Sequence, residues 1–173
     1  MENILSVTQL VLSGTPARWQ SLVETIPADI LNRQPAPNEW SAAECLKHLL
    51  DTEKLVFPVR VKAFLAGQNF PAFNPDAAEN KTSGAPNPKT MAAEFAKTRI
   101  DNLKLLKTIK TEDLSRTAVH GQLGKVTLAE MLHEWMGHDL MHTVQAERAV
   151  LQPFILGCGP WRSYFKDHDV AKP

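Results

Sequence analysis

The chain has 173 residues, 43% of them hydrophobic, and its 19 basic and 19 acidic side chains cancel. That length lets one core form without disulfides. The even charge balance excludes a surface dedicated to phosphate backbones or anionic lipid, so no nucleic acid and no membrane is expected as a partner. Cys45 and Cys158 are too few for a disulfide framework, and no apolar run reaches transmembrane length. Met1-Glu2-Asn3-Ile4-Leu5 lacks the basic and apolar regions of a signal peptide. The expectation is a single cytoplasmic domain spanning residues 1–173.

Four helical stretches follow in chain order. The first runs from Leu5 to Thr25, with Val7, Leu10, Val11 and Leu22 at helical spacing. It stops before Pro27, and Pro35 and Pro37 hold the connection extended. The second opens at the capping box Ser41-Ala42-Ala43-Glu44 and continues to Ala66, with a kink expected at Pro58. Residues 67–90 form the least regular part, including Phe70-Pro71-Ala72-Phe73, and a loop of that length suggests function. The third helix spans Pro88 to Ile109, with Met91, Phe95, Ile100, Leu103 and Leu106 expected inward. Between Arg116 and Thr127, Val119 and Val126 flank a small hairpin. The fourth helix begins at a second capping box, Thr127-Leu128-Ala129-Glu130, and extends to about Val150. After the break at Gly157-Cys158-Gly159-Pro160, the aromatic segment Trp161 to Phe165 is expected to dock on the bundle. The pattern reads as all-α, a four-helix bundle with longer crossover connections.

The chemistry concentrates in His138-Asp139-Leu140-Met141-His142. Histidines four residues apart on a helix lie one turn above each other on one face, where two nitrogens can converge on one metal ion. At about 100° per residue, Met131, Trp135, His138, His142, Gln145 and Ala149 share that stripe. His133 falls away from it. His133-Glu134-Trp135-Met136-Gly137-His138 resembles a zinc-protease motif but has the wrong spacing, i to i+5. The correctly spaced pair His138/His142 carries Asp139 where a catalytic glutamate belongs, so that reading is rejected.

A third ligand must come from another helix, and His48 on the second helix offers one. Three neutral imidazoles suit Zn, Ni or Fe as a divalent metal and leave a position for water or substrate. Glu44 and Asp139 are the candidate catalytic carboxylates, and Asp51 and Gln145 stand with them as candidates for orienting imidazoles or handling protons. Cys45 is either a fourth soft ligand or, more simply, an apolar filler. His120 is assigned to a loop and His168 to solvent.

Trp40-Ser41-Ala42-Ala43-Glu44 with His48-Leu49, then Thr127-Leu128 and His138-Asp139-Leu140-Met141-His142-Thr143-Val144-Gln145, together resemble the DinB-like superfamily of metal-binding four-helix bundles. The Gly159-Pro160-Trp161 ending is similar to members of that family as well. The resemblance implies that His48, His138 and His142 hold a divalent metal at one end of a cleft, and that a homodimer forms. Related members are thiol-dependent transferases and isomerases using bacillithiol, mycothiol or glutathione, and others are described as hydrolases. Three functions therefore stand open. The first is a thiol-dependent S-transferase acting on small electrophilic molecules, using a low-molecular-weight thiol. The others are a metal-dependent hydrolase of small substrates and a non-catalytic metal-binding stress-response module.

Overall fold

The computed structural model describes residues 3–70 and 87–170. Six helices and one hairpin are formed: α1 (Ile4–Thr25), α2 (Ala28–Leu31), α3 (Ala42–Leu55), α4 (Phe57–Ala66), α5 (Pro88–Leu106), β1 (Thr117–His120), β2 (Gly124–Thr127) and α6 (Leu128–Gly157). Two 3₁₀ turns, Thr111–Ser115 and Gly159–Phe165, precede the hairpin and follow α6. Among these described residues no helix is long and apolar enough to cross a membrane.

The helix starts follow their capping chemistry. Ser41 Oγ accepts the Glu44 N–H at 3.2 Å while Glu44 accepts the Ser41 N–H at 2.7 Å. Thr127 and Glu130 repeat the exchange at α6 with the same two distances. Each pair satisfies donors that a helix start leaves open, worth about 1 kcal/mol. The prolines are less regular in effect. The expected single helix from Ser41 to Ala66 is two helices that break at Val56 (φ −115°, ψ −70°), leaving Pro58 in the first turn of α4. Proline is tolerated there because the N–H it lacks has no helical partner anyway. Pro16 and Pro153, by contrast, lie inside α1 and α6. The fourth helix thus runs past Val150 to Gly157.

Four long elements make the bundle: α1, α3, α5 and α6. The pairs that pack side by side are α1 with α5, α3 with α5, α3 with α6, and α1 with α6. The ring order is therefore α1–α5–α3–α6, so the consecutive helices α1 and α3 face each other diagonally. Two extended connections bridge those diagonals, one carrying α2 and the other the hairpin. In the hairpin Thr117 pairs with Thr127 and His120 with Gly124. Gly124 has φ +76°, a left-handed turn conformation that glycine adopts without steric cost.

A polar layer divides the core in two. At one end Phe57, Phe64, Leu106, Leu128, Leu132 and Trp135 cluster. At the other are Trp19, Leu46, Leu49, Phe95, Ala146 and Val150. Between them lie Thr15, Glu53, Arg99 and Asp139, each 1% exposed. Two sequence expectations fail at the surface. Ile100 is 57% exposed, because its neighbour Arg99 takes the inward position. Trp161 and Tyr164 are 64% and 81% exposed. The terminal segment is held to α6 instead by polar contacts, Arg148 and Gln152 donating to the His168 carbonyl at 3.2 and 2.9 Å.

Arg99→Leu tests the polar layer by leaving the Glu53 and Asp139 carboxylates buried without their cation. Stability at neutral pH should fall by about 3–5 kcal/mol. Burial already raises the Glu53 pKa and the Arg99 charge opposes that rise, so without the cation it rises further and the loss should shrink as acidification protonates Glu53. Chemical denaturation at neutral and acid pH measures the difference, and an equal loss at both would refute the charge argument.

Candidate metal centre

His48 comes from α3, and His138 and His142 from α6. Their ring centroids are 4.6–5.0 Å apart, and one nitrogen from each lies within 4.8 Å of the others. His48 Nε2 and His138 Nε2 approach to 3.0 Å. Nitrogens that share an ion at about 2.1 Å sit about 3.0–3.4 Å apart, depending on the coordination geometry. The triad is thus already near a ligating spacing.

Neighbouring groups fix the rings. His142 Nδ1 lies 2.8 Å from Gln145 Oε1, an acceptor, so Nδ1 carries the proton and Nε2 keeps its lone pair. Trp40 stacks on His142 at 5.6 Å and 17°, and tilts against His48 at 5.1 Å. Phe57 meets His138 edge-on at 5.3 Å, and its own face stacks on Trp135 at 4.7 Å. These apolar walls favour the neutral form of His138 and His142. Burial, then the nearby His142 and His48, push His138 down to about 3. Burial also lowers His142, against the opposing effects of Gln145 and Asp139. His138 Nδ1 is buried with no hydrogen-bond partner among the described residues. Three converging imidazole nitrogens form a donor set suited to a first-row divalent cation.

The carboxylates singled out in the sequence lie elsewhere. Glu44 caps α3 and takes Gln34 Nε2 at 3.3 Å. Asp139 points into the polar layer, where Oδ2 accepts from Thr15 at 2.7 Å and Arg99 at 2.8 Å, and Oδ1 from Arg99 at 3.1 Å. The structure engages both in holding the fold. Asp51 pairs with Lys47, leaving Gln145 as the orienting group that touches a triad histidine. Cys45 is not part of the triad. Its burial, with the Glu44 charge, pushes the thiol up to about 12, consistent with an apolar filler. His133 is exposed and off the stripe. Missing from the sequence reading were Glu53 and Arg99, although both sit at i+4 from core residues, Leu49 and Phe95. Charge at such inward positions was the available signal.

A groove of about 420 Å³ is lined by Glu39, Trp40, Met141, Val144, Gln145 and Arg148, and by none of the triad histidines. Trp40 and Gln145 contact His142 as well, which joins groove and triad. The expected substrate loop Phe70-Pro71-Ala72-Phe73 falls, after Phe70, outside the described residues.

The family model of the DinB superfamily matches residues 12–146. That span contains all three histidines, and the chain belongs to the DinB superfamily. Its fold is similar to YfiT from Bacillus subtilis, described as a probable metal-dependent hydrolase with an unusual four-helix bundle topology. There the TM-score is 0.71 at 19% identity, covering 89% of this chain and 91% of that one. It is also similar to the DinB-like protein YjoA from Bacillus subtilis, with TM-score 0.58, 20% identity, and 85% and 92% coverage. No curated protein sequence matches the chain.

With its folded pKa near 3 against about 6.5 when unfolded, His138 should stay neutral from pH 8 to pH 5 in metal-free protein. Below about pH 6.5 the unfolded chain binds the proton more readily, so stability should decline as pH falls toward 3. Ring-carbon NMR shifts of His138 across that range check the expectation. A midpoint near 6.5 would contradict it.

Proposed function

We propose that this protein is a divalent-metal-dependent enzyme, with His48, His138 and His142 as ligands, that joins a low-molecular-weight thiol to a small electrophilic molecule. The convergence of three imidazoles from two helices carries this reading. A divalent cation held there lowers the pKa of a coordinated thiol or water into the neutral range.

The side chains divide the remaining tasks. Gln145 holds His142 in the tautomer whose Nε2 faces inward. Trp40 and Phe57 cover the rings and exclude water from them. Met141 and Val144 give the groove an apolar wall for the body of a small substrate. Glu44 and Asp139 are both engaged in the fold, so neither stands free as a general base. Glu39 lines the groove, and a thiol depends less on such a base than water does because it ionises more readily.

Hydrolysis is the second reading, and the description of YfiT as a probable metal-dependent hydrolase favours it. It uses the same three ligands.

Metal content of the purified protein should drop to background in both His48→Ala and His142→Ala. Metal-loaded protein should accelerate displacement of halide from an activated aryl halide by bacillithiol, glutathione or coenzyme A, releasing halide and the thiol proton, and His142→Ala should remove the acceleration. Unchanged metal content in either variant would break the ligand assignment. Ester or amide turnover without thiol, and no acceleration with any of the three thiols, would replace transfer by hydrolysis.

A further inference from the structure

A second cavity, of about 370 Å³, lies where α4 and α6 meet the hairpin, and none of the triad histidines lines it. Its polar end is built from Arg60 and His120. The tautomer of His120 follows from its contacts. His120 Nδ1 accepts the backbone N–H groups of Gln122 at 3.1 Å and Leu123 at 3.3 Å. A neutral imidazole has one lone pair and one N–H. With the lone pair at Nδ1, the proton belongs on Nε2. Burial and the charge of Arg60 both push the His120 pKa down, which keeps the ring neutral.

His120 Nε2 lies 3.2 Å from Arg60 Nη2. Arginine can only donate. Two N–H donors thus meet head to head, with no acceptor between them among the described residues. Such a contact is unfavourable by itself, and an oxygen lodged beside both nitrogens would satisfy each.

The acidic neighbours do not supply that oxygen. Glu134 reaches Arg60 at 4.0 Å, through Nη1 and beyond hydrogen-bond range. Glu130 turns back to accept from the Thr127 N–H and hydroxyl. Arg60 also lies over the Phe70 ring, 5.4 Å from its centroid, and its side chain is only 13% exposed. The guanidinium is therefore held in place, and a half-buried, preorganised arginine is suited to carboxylate recognition. Phe70, Leu123, Val126 and Met131 give the cavity an apolar wall, and Gln122, Glu130 and Glu134 complete its lining.

We propose that this cavity binds a small molecule bearing a carboxylate, with the carboxylate at Arg60 Nη2 and His120 Nε2 and an apolar body against Phe70 and Met131. This site stands apart from the metal reading. Phenylacetate serves as the probe, with phenylacetamide as its neutral isostere and phenethylamine as its cationic counterpart. Affinities are read by calorimetry and by NMR shifts at the His120 ring, in metal-stripped and as-purified protein.

Phenylacetate should bind at least about tenfold more tightly than phenylacetamide in both preparations, moving the His120 Nε2 resonance. Arg60→Met and His120→Phe should each weaken phenylacetate about tenfold and leave phenylacetamide nearly unchanged. Equal affinity for acid and amide would overturn the proposal, as water alone would then satisfy the donors. Preference for phenethylamine would assign the cavity to Glu134 instead, and binding lost on metal removal would place the carboxylate on the metal. Absence of saturable binding by any probe would equally refute it. The comparison within the unaltered protein keeps the test decisive even if a variant fails to fold.

Discussion

One guanidinium sets the geometry of the bundle. Arg99 is 1% exposed on α5, at the level where the apolar core is interrupted. A cation buried there is tolerated only when its donors are paired and its charge is matched. Nε and Nη2 reach Glu53 on α3 at 2.6 and 2.7 Å. Nη1 and Nη2 reach Asp139 on α6 at 2.8 and 3.1 Å. Nη1 also donates to the Leu12 carbonyl on α1 at 3.0 Å. That carbonyl is available because Pro16, four residues on, has no N–H to donate to it. A proline that costs α1 a helical hydrogen bond thereby supplies an acceptor to the arginine. The five N–H groups of Arg99 tie all four long helices at one level, including the diagonal pair α5 and α6.

The histidine site inherits its position from this layer. Asp139 follows His138 directly, so the contacts that lock Asp139 toward Arg99 set the rotation of α6 at the triad. Glu53 also accepts from Trp135 Nε1 at 3.2 Å, and Trp135 stacks on Phe57, which abuts His138. The layer's two signs reach the triad at different rings: Arg99 acts against positive charge at His138, whereas Asp139 favours it at His142.

Patterns confined to one helix were legible in the sequence. The two capping boxes, the His138–His142 stripe with Gln145, and the exclusion of His133 all depend on local spacing, and the structure places each accordingly. Relations between helices were not legible. Periodicity shows that Ile100 and Arg99 lie on neighbouring positions, but only the partners waiting on α3 and α6 decide that the charged one turns inward. The same limit applies to Asp139 and Glu44, whose chemistry depends on what faces them. Proline was ambiguous for a related reason. Its effect is decided by whether the carbonyl four residues earlier finds another donor, as Leu12 does in Arg99. The aromatic ending looked like a docking segment on composition alone, whereas Arg148 and Gln152 provide the polar attachments to α6.

The long α6 explains how so much function fits on one element. Its helical period turns successive groups toward different surroundings. Met131 and Glu134 face the hairpin cavity, Trp135 and Asp139 the polar layer, His138 and His142 the triad, and Met141 and Gln145 the groove. α4 spans the same two regions from the other side, with Phe57 against His138 and Arg60 in the cavity three residues later. A rigid helix serves this arrangement better than loops, because all four environments keep a fixed register to one another. The polar layer secures that register at Asp139, which lies between the two triad histidines of α6. The three imidazoles are thus held together by the same buried charge contacts that join the bundle.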